Sequence, residues 1–272
     1  MVTLTGCVAA APAQPSASTS EPRVSVALVQ NRSDAPVRRL QLRVTNESAE
    51  ELRIRTATLE STALAAPAVW EKGTTVPAGA TRDLPVQFPG ASCADGEPQT
   101  VVRMEVETAA GPATVEVPPA DPNERMPLLT ETDCFAQDVA AAGRVSLAGL
   151  RVGDPSEPAK LEVRVESAGG DTDLRVDSME STVLFNPLDA SGAPSASGEV
   201  GLELRGGDAE ATALVPIVPN RCDPHALAED KVGTLFVFAA EVEGGRSGEL
   251  RLQASPELRA DLYEYFTRAC GL

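Results

Sequence analysis

The chain has 272 residues, a length typical of about two domains, and hydrophobic residues make up 42% of it, enough for packed cores. Its 40 acidic and 23 basic residues give a formal charge of −17, which repels phosphate backbones and excludes nucleic-acid binding. Aromatic residues at 3% and a single histidine argue against an aromatic-lined sugar cleft and against most histidine-dependent metal and triad chemistry.

The first cysteine lies in a short motif. Residues 4–7 read Leu-Thr-Gly-Cys, an aliphatic residue and two small residues before a thiol that can accept a lipid. The motif resembles the lipobox of bacterial surface lipoproteins, which implies that Cys7 is lipidated and holds the protein at the extracytoplasmic face of the cell membrane. A lipoprotein signal also needs an apolar region of about 7–15 residues before the cysteine. Such a region does not fit between Met1 and Cys7, so we expect Met1 to be a truncated or mis-assigned start. The alternative is a cytoplasmic protein that starts at Met1 and carries the motif by chance.

The stretch after the motif differs in composition from the rest of the chain. Residues 8–21 are rich in Ala, Pro and Ser and lack a periodic apolar face, which predicts a flexible tether behind the signal of residues 1–7. The use of 20 Arg against 3 Lys, with abundant Ala, Gly and Pro, is typical of a high-GC genome such as that of an actinobacterium.

An internal repeat sets the domain organisation. Residues 40–44 (Leu-Gln-Leu-Arg-Val) match residues 161–165 (Leu-Glu-Val-Arg-Val), and the Glu-Ser-Thr-x-Leu-x-x-Pro sequence of residues 60–67 returns at 180–187. The offset of about 120–130 residues is too long for a solenoid and indicates a duplicated domain. We therefore predict one domain over residues 22–136, a linker over 137–142, and a second copy over 143–272.

Within each copy the apolar residues recur with a period of two. Residues 40–44 and 102–106 alternate apolar and polar side chains, as half-buried antiparallel strands do, and Gly, Pro and Asn clusters separate such runs. The sequence therefore predicts an all-β chain of two tandem immunoglobulin-like antiparallel β-sandwich domains. Ser255, Pro256 and apolar residues at helical spacing from Leu258 to Phe266 predict a short helix near the C-terminus, with a weaker counterpart at 127–132.

The cysteine count supports an oxidising compartment. Apart from Cys7, two cysteines lie in each half of the chain, and no Cys-x-x-Cys spacing typical of zinc ribbons or thioredoxins occurs. Four cysteines permit three pairings, and the repeat favours Cys93 with Cys134 and Cys222 with Cys270.

Two groups of polar residues are candidates for cation or acid–base chemistry. His225, close to Asp223, Glu229 and Asp230, is either a metal ligand or acid–base group, or part of a structural loop opened by an Asp-Pro turn. The Asp171-Thr-Asp173 sequence is either a weak Ca²⁺ site or a solvated acidic turn, since it lacks the ligand spacing of an EF-hand.

The aromatic residues leave two interpretations open. Tyr263, Tyr265 and Phe266 are at helical spacing and belong either to the core or to a docking surface. Trp70 lies in a segment that we interpret as a loop between strands, where it is either a core plug or an exposed contact.

Taken together, these features predict a membrane-anchored lipoprotein with a non-catalytic binding or structural role and no cofactor. Its expected partners are the membrane, through the lipid, and an envelope protein or glycan. The alternatives are a cation-binding accessory protein of envelope transport and an acid-catalysed envelope hydrolase that uses two carboxylates in a cleft.

Overall fold

A computed structural model describes residues 22–94, 96–109, 111–154, 157–228 and 232–272. The chain forms two compact units. The described part of the first unit comprises residues 22–62, 66–89, 96–109 and 111–125. That of the second comprises residues 63–65 and 90–94 and the described residues from Met126 onwards. The signal, the lipobox-like motif and the tether predicted at residues 1–21 lie outside the described residues.

The first unit is a sandwich of two antiparallel sheets. Its described strands are β1 (Val24–Val29), β2 (Arg39–Asn46), β3 (Leu52–Ser61), β4 (Ala68–Trp70), β5 (Thr74–Val76), β6 (Thr81–Gln87), β7 (Thr100–Thr108) and β8 (Gly111–Val117). One sheet has the order β1-β2-β6 and the other β4-β3-β7-β8, with β5 also paired to β3. Leu40, Leu42 and Val44 of β2 are fully buried, so the period-two pattern of the sequence marks the core-facing side of this strand.

A buried carboxylate organises the turn between β1 and β2. The Oδ2 atom of Asp34 accepts hydrogen bonds from the backbone and side-chain amides of Asn31, at 3.1 and 2.9 Å, and from Nε2 of Gln41 at 2.9 Å. The bond from Gln41 is the largest of the interactions that hold the pKa of Asp34 below its ordinary value, and the guanidinium of Arg39 adds to it. The charged form of Asp34 therefore stabilises the folded state.

The second unit is also a sandwich, with helices added. Its described elements are α1 (Arg125–Ala142, of which Arg125 belongs to the first unit), β9 (Gly143–Arg151), β10 (Ala159–Ser167), β11 (Leu174–Glu180), β12 (Phe185–Pro187), β13 (Ser197–Leu204), β14 (Glu210–Pro219), α2 (Pro224–Ala228), β15 (Leu235–Val242), β16 (Ser247–Gln253) and α3 (Pro256–Cys270). The sheets have the orders β12-β14-β10-β9 and β13-β11-β15-β16, and all pairs are antiparallel. Each unit is thus an immunoglobulin-like sandwich, as the sequence predicts.

Helix α3 closes the core of the second unit. The hydroxyl of Ser255 accepts a hydrogen bond from the backbone N–H of Leu258 at 3.2 Å, which caps the first turn as predicted. The Phe185 ring lies 6.0 to 6.3 Å from the rings of Phe266 and Tyr265. The Tyr265 hydroxyl donates to the carbonyl of Ile217 at 3.1 Å, so its polar atom is satisfied inside the core. Tyr265 and Phe266 are therefore core residues.

The two units share details that support a duplication. The register of β3 shifts between Ile54 and Thr56, and that of β11 shifts between Val176 and Ser178, which are equivalent positions of the repeat. The sheet orders correspond as well, because β4 and β5 flank β3 as β13 flanks β11, and β12 aligns in the repeat with residues 65–67, which precede β4. Trp70 is the last residue of β4, so the prediction of a loop at this position was wrong. Its side chain is buried in the core, which is the first of the two alternatives for this residue.

The chain between the two sandwiches is helical, which corrects two predictions. Helix α1 runs from Arg125 to Ala142 instead of 127–132, and it includes the whole of the predicted linker 137–142. The three consecutive alanines at 140–142 favour a helix, and Val139 and Ala142 are buried in the core of the second unit. A boundary at 136/137 would therefore cut through a single helix.

The Asp34 turn leads to a testable prediction on stability. We expect Asp34→Asn to lower the free energy of unfolding by about 1–3 kcal/mol at pH 7, because the amide cannot accept all three hydrogen bonds. Because the folded-state pKa is lowered, the stabilisation is present above the unfolded pKa of about 3.9 and is lost as the pH falls through the folded value. Urea unfolding at several pH values should therefore show wild type and variant converging in acid.

The matched control for this variant is Asp83→Asn. Asp83 forms an ion pair with Arg43 at 2.8 Å, but both side chains are about one third or more exposed. We expect a loss below about 1 kcal/mol, as is usual for surface pairs. Equal losses in the two variants, or a loss at Asp34 that does not shrink as the pH falls below the unfolded pKa, would contradict the assignment.

Candidate functional site

Strand β16 lies at the edge of its sheet and exposes backbone groups. Its pairing with β15 includes a hydrogen bond from the Ala254 N–H to the Thr234 carbonyl, and one from the Val242 N–H to the Arg246 carbonyl. Antiparallel pairing alternates, so the residues bonded to β15 are the even-numbered ones from 246 to 254. The N–H and C=O groups of the alternate residues point away from β15 and have no hydrogen-bond partner among the described residues: Ser247, Glu249 and Arg251.

Helix α1 is fixed beside this strand by two contacts. The Phe135 ring packs over Gly248, where a Cβ atom would lie 2.7 Å from the ring, so only glycine allows this approach. The Asp138 carboxylate accepts a hydrogen bond from Nη1 of Arg246 at 2.8 Å. These contacts hold the helix at the start of β16.

A groove of about 480 Å³ runs between α1 and β16, within the usual ~300–1,000 Å³ range of binding pockets. The residues that line it include Leu128, Glu131 and Phe135 of α1 and Ser247, Glu249 and Arg251 of β16. Leu128 is 49% exposed and so offers apolar surface to a ligand. Glu249 and Arg251 form an ion pair at 2.8 Å, whereas Glu131 has no ion-pair partner in the part of the chain that the structure describes. The groove therefore combines a free strand edge, an apolar wall and an uncompensated carboxylate.

The predicted disulfide residues support this helix and the end of the sandwich. The structure bonds Cys93 to Cys134 and Cys222 to Cys270, the pairs that the repeat favours. Cys134 lies directly before Phe135, so its bond fixes the groove wall. The neighbouring Asp133 accepts a hydrogen bond from the Ala91 N–H at 3.0 Å, which holds the segment that carries Cys93 on the same helix. Cys7 lies outside the described residues.

The candidate cation residues are not brought into a larger cluster. His225 is exposed in α2, and its backbone N–H donates to Oδ1 of Asp223 at 2.9 Å, while Glu229 and Asp230 lie outside the described residues. Oδ1 of Asp173 accepts the Gly206 N–H at 2.6 Å, so this carboxylate closes a turn. Across the described residues, no group of three or more His, Cys, Asp or Glu side chains is placed to hold a metal ion.

Tyr263 is partly buried and packs against the core of the second unit. No helix within the described ranges is long and apolar enough to span a bilayer.

The groove was missed at the level of sequence, although a signal for one of its walls exists. Leu128, Glu131, Thr132 and Phe135 follow the i, i+3, i+4, i+7 spacing that places residues on one face of a helix. The free edge of β16 has no local signal, because alternation marks a strand without indicating which strand flanks it.

Comparison with known proteins identifies no family. No family model and no curated protein matches the chain. Among solved structures it is similar to the YadV chaperone, with a TM-score of 0.24 and 12% identity over 86% of this chain and 100% of that one. The B domain of a biofilm associated protein matches with a TM-score of 0.23 and 8% identity over 89% and 88% of the two chains. A red sea bream transglutaminase matches at 0.21 and 10%, covering 89% of this chain and 34% of that one. These scores carry no argument about activity.

The disulfides lead to a second prediction. We expect Cys93→Ser to expose one additional titratable thiol, that of Cys134, in the unreduced protein, because each bond joins one fixed pair. Thiol titration under denaturing conditions measures this directly. Cys222→Ser serves as the matched control and should expose Cys270 instead, which peptide mapping after alkylation distinguishes. Labelling of Cys222 or Cys270 in the Cys93→Ser protein would show a different pairing.

Proposed function

We propose that this chain is an extracytoplasmic protein, anchored to the cell membrane by a lipid on Cys7, whose sandwich domains bind a partner and do not catalyse a reaction. The observation that carries the proposal is the pairing of the other four cysteines with one another.

The disulfides support an oxidising compartment. Structural disulfides persist outside the reducing cytosol, and loops of 41 and 48 residues are long enough for each bond to contribute about 4 kcal/mol in the chain-entropy model. Four of the five cysteines are used in this way, and the fifth is Cys7. A thiol in a Leu-Thr-Gly-Cys sequence is the group that lipoprotein maturation modifies.

The composition of residues 8–21 supports the same arrangement. A diacylglyceryl group supplies two acyl chains, which is what stable anchoring requires, since one chain binds membranes only marginally. A tether of fourteen residues rich in Ala, Pro and Ser gives the domains reach from the bilayer. The anchor and the tether together suit a protein that presents a surface to its surroundings.

The groove beside β16 supports binding as the activity. A strand edge offers main-chain donors and acceptors at a regular spacing, which another polypeptide can match and a glycan cannot. Of the two partner classes that the sequence suggests, an envelope protein therefore fits this groove better.

The lipid anchor can be tested in the native host. We expect the protein expressed from its own gene to incorporate an alkyne-tagged fatty acid and to fractionate with membranes, because Cys7 carries the acyl groups. Cys7→Ser should lose the label and leave the membrane fraction. Intact mass should show a chain that begins at modified Cys7 and gains about four hydrogens on reduction, from two disulfides.

Two outcomes would overturn the anchored model. An unlabelled wild-type chain that retains Met1 and has five free thiols would place the protein in the cytoplasm. Equal labelling of wild type and Cys7→Ser would move the lipid to another site.

A further inference from the structure

We propose that the edge of β16 beside α1 binds an extended, basic peptide segment of a partner protein by strand addition. This specifies the binding role proposed above, but it rests on the groove alone and does not depend on the lipid anchor.

The backbone of β16 provides the register for such a peptide. Ser247, Glu249 and Arg251 each direct an N–H and a C=O away from β15, and none of these groups is hydrogen-bonded within the described residues. At about 3.4 Å per residue, the stretch from Ser247 to Arg251 is about 14 Å long. It therefore pairs with four or five residues of an extended chain, which gains main-chain bonds regardless of its side chains.

The groove provides side-chain selectivity on the helix side. Leu128 and Phe135 form apolar surface along α1, and Glu131 lies between them in sequence. Because successive side chains of a strand point to opposite faces, a peptide paired with β16 would direct every second side chain towards α1. Apolar side chains next to Leu128 and a Lys or Arg next to Glu131 match these surfaces.

Charge decides between a foreign peptide and a second copy of this chain. Residues 126–272 contain 25 acidic and 12 basic side chains, a formal charge of −13. Two copies paired edge to edge would bring like charges together, whereas a cationic segment is attracted to the whole unit and to Glu131 in particular. The favoured occupant is therefore basic and comes from another protein.

The test uses a peptide library and a pair of variants at one position. Glu249→Pro removes a backbone N–H that points away from β15, so it blocks strand addition and leaves the bonds to β15 in place. Glu249→Ala is the matched control, because it loses the same carboxylate and the same ion pair with Arg251 but keeps the N–H. The protein is the full chain carrying Cys7→Ser, with both disulfides formed, so a failure of lipid anchoring does not affect the result.

Random nine-residue peptides displayed on phage are selected on this protein and counter-selected on its Glu249→Pro form. We expect enriched sequences to alternate apolar residues with Lys or Arg and to lack proline at the paired positions. Fluorescein-labelled versions should bind at least about tenfold more weakly to Glu249→Pro than to Glu249→Ala, by fluorescence anisotropy, because both variants lose the carboxylate and only the first loses the N–H. Peptide binding should also slow hydrogen exchange at the amides of Ser247, Glu249 and Arg251.

A second variant keeps the test decisive if Glu249→Pro fails to fold by circular dichroism. Leu128→Ser changes a side chain that is already half exposed, and it should weaken binding about fivefold by removing apolar contact. The proposal is overturned if no sequence is enriched, if acidic sequences are enriched, or if exchange slows on another strand and not on β16. It is also overturned if the affinity is unchanged in Leu128→Ser, or if sedimentation shows a dimer of this chain that Glu249→Pro dissociates.

Discussion

Unpaired backbone at sheet edges is the constraint that shapes both units. A sandwich of two open sheets has flanking strands whose N–H and C=O groups must be covered, interrupted or left for a partner. In the first unit, Ala120 bonds to the backbone of Val26 and Leu28 and covers β1, while the flanking strand β6 contains Pro85, which cannot donate. In the second unit, β12 covers part of β14. The edge of β16 has neither protection, and α1 stands beside it instead of over it.

The duplication explains the features that the two units share. The differences between the units show which features belong to one of them alone. Equivalent strands carry the same register shift and equivalent cysteines form the same bonds, so both copies pack in the same way. The copies diverge where α1 contributes Phe135 and Val139 to the core of the second unit. The groove exists because of that helix, so it is a property of one unit and was not inherited with the repeat.

The sequence predicts the parts of this fold that depend on local pattern. Period-two alternation marks strands such as β2, and Ser255 with Pro256 marks the start of α3. The prediction failed at α1, where Pro127 and two threonines obscured a helix whose second half is stabilised by burial. It failed at Trp70, because a three-residue strand carries too little periodicity to recognise. The groove could not be predicted from the sequence for a physical reason. It depends on which strand lies at the edge of a sheet, and on a contact between α1 and residues more than 100 positions away in the chain.

The connectivity of the two disulfides has a consequence for oxidative folding. Each bond joins cysteines that are consecutive in the chain once Cys7 is set aside, so a polypeptide that emerges N-terminus first meets its partners in the native order. An oxidase that bonds each newly emerged cysteine to the preceding free cysteine produces the correct disulfides, and no reshuffling is needed. A free Cys7 would disturb this sequence, because it emerges before Cys93 and would compete for it. The lipidation of Cys7 that we propose would remove that competitor, so it would protect the accuracy of oxidation in addition to anchoring the chain.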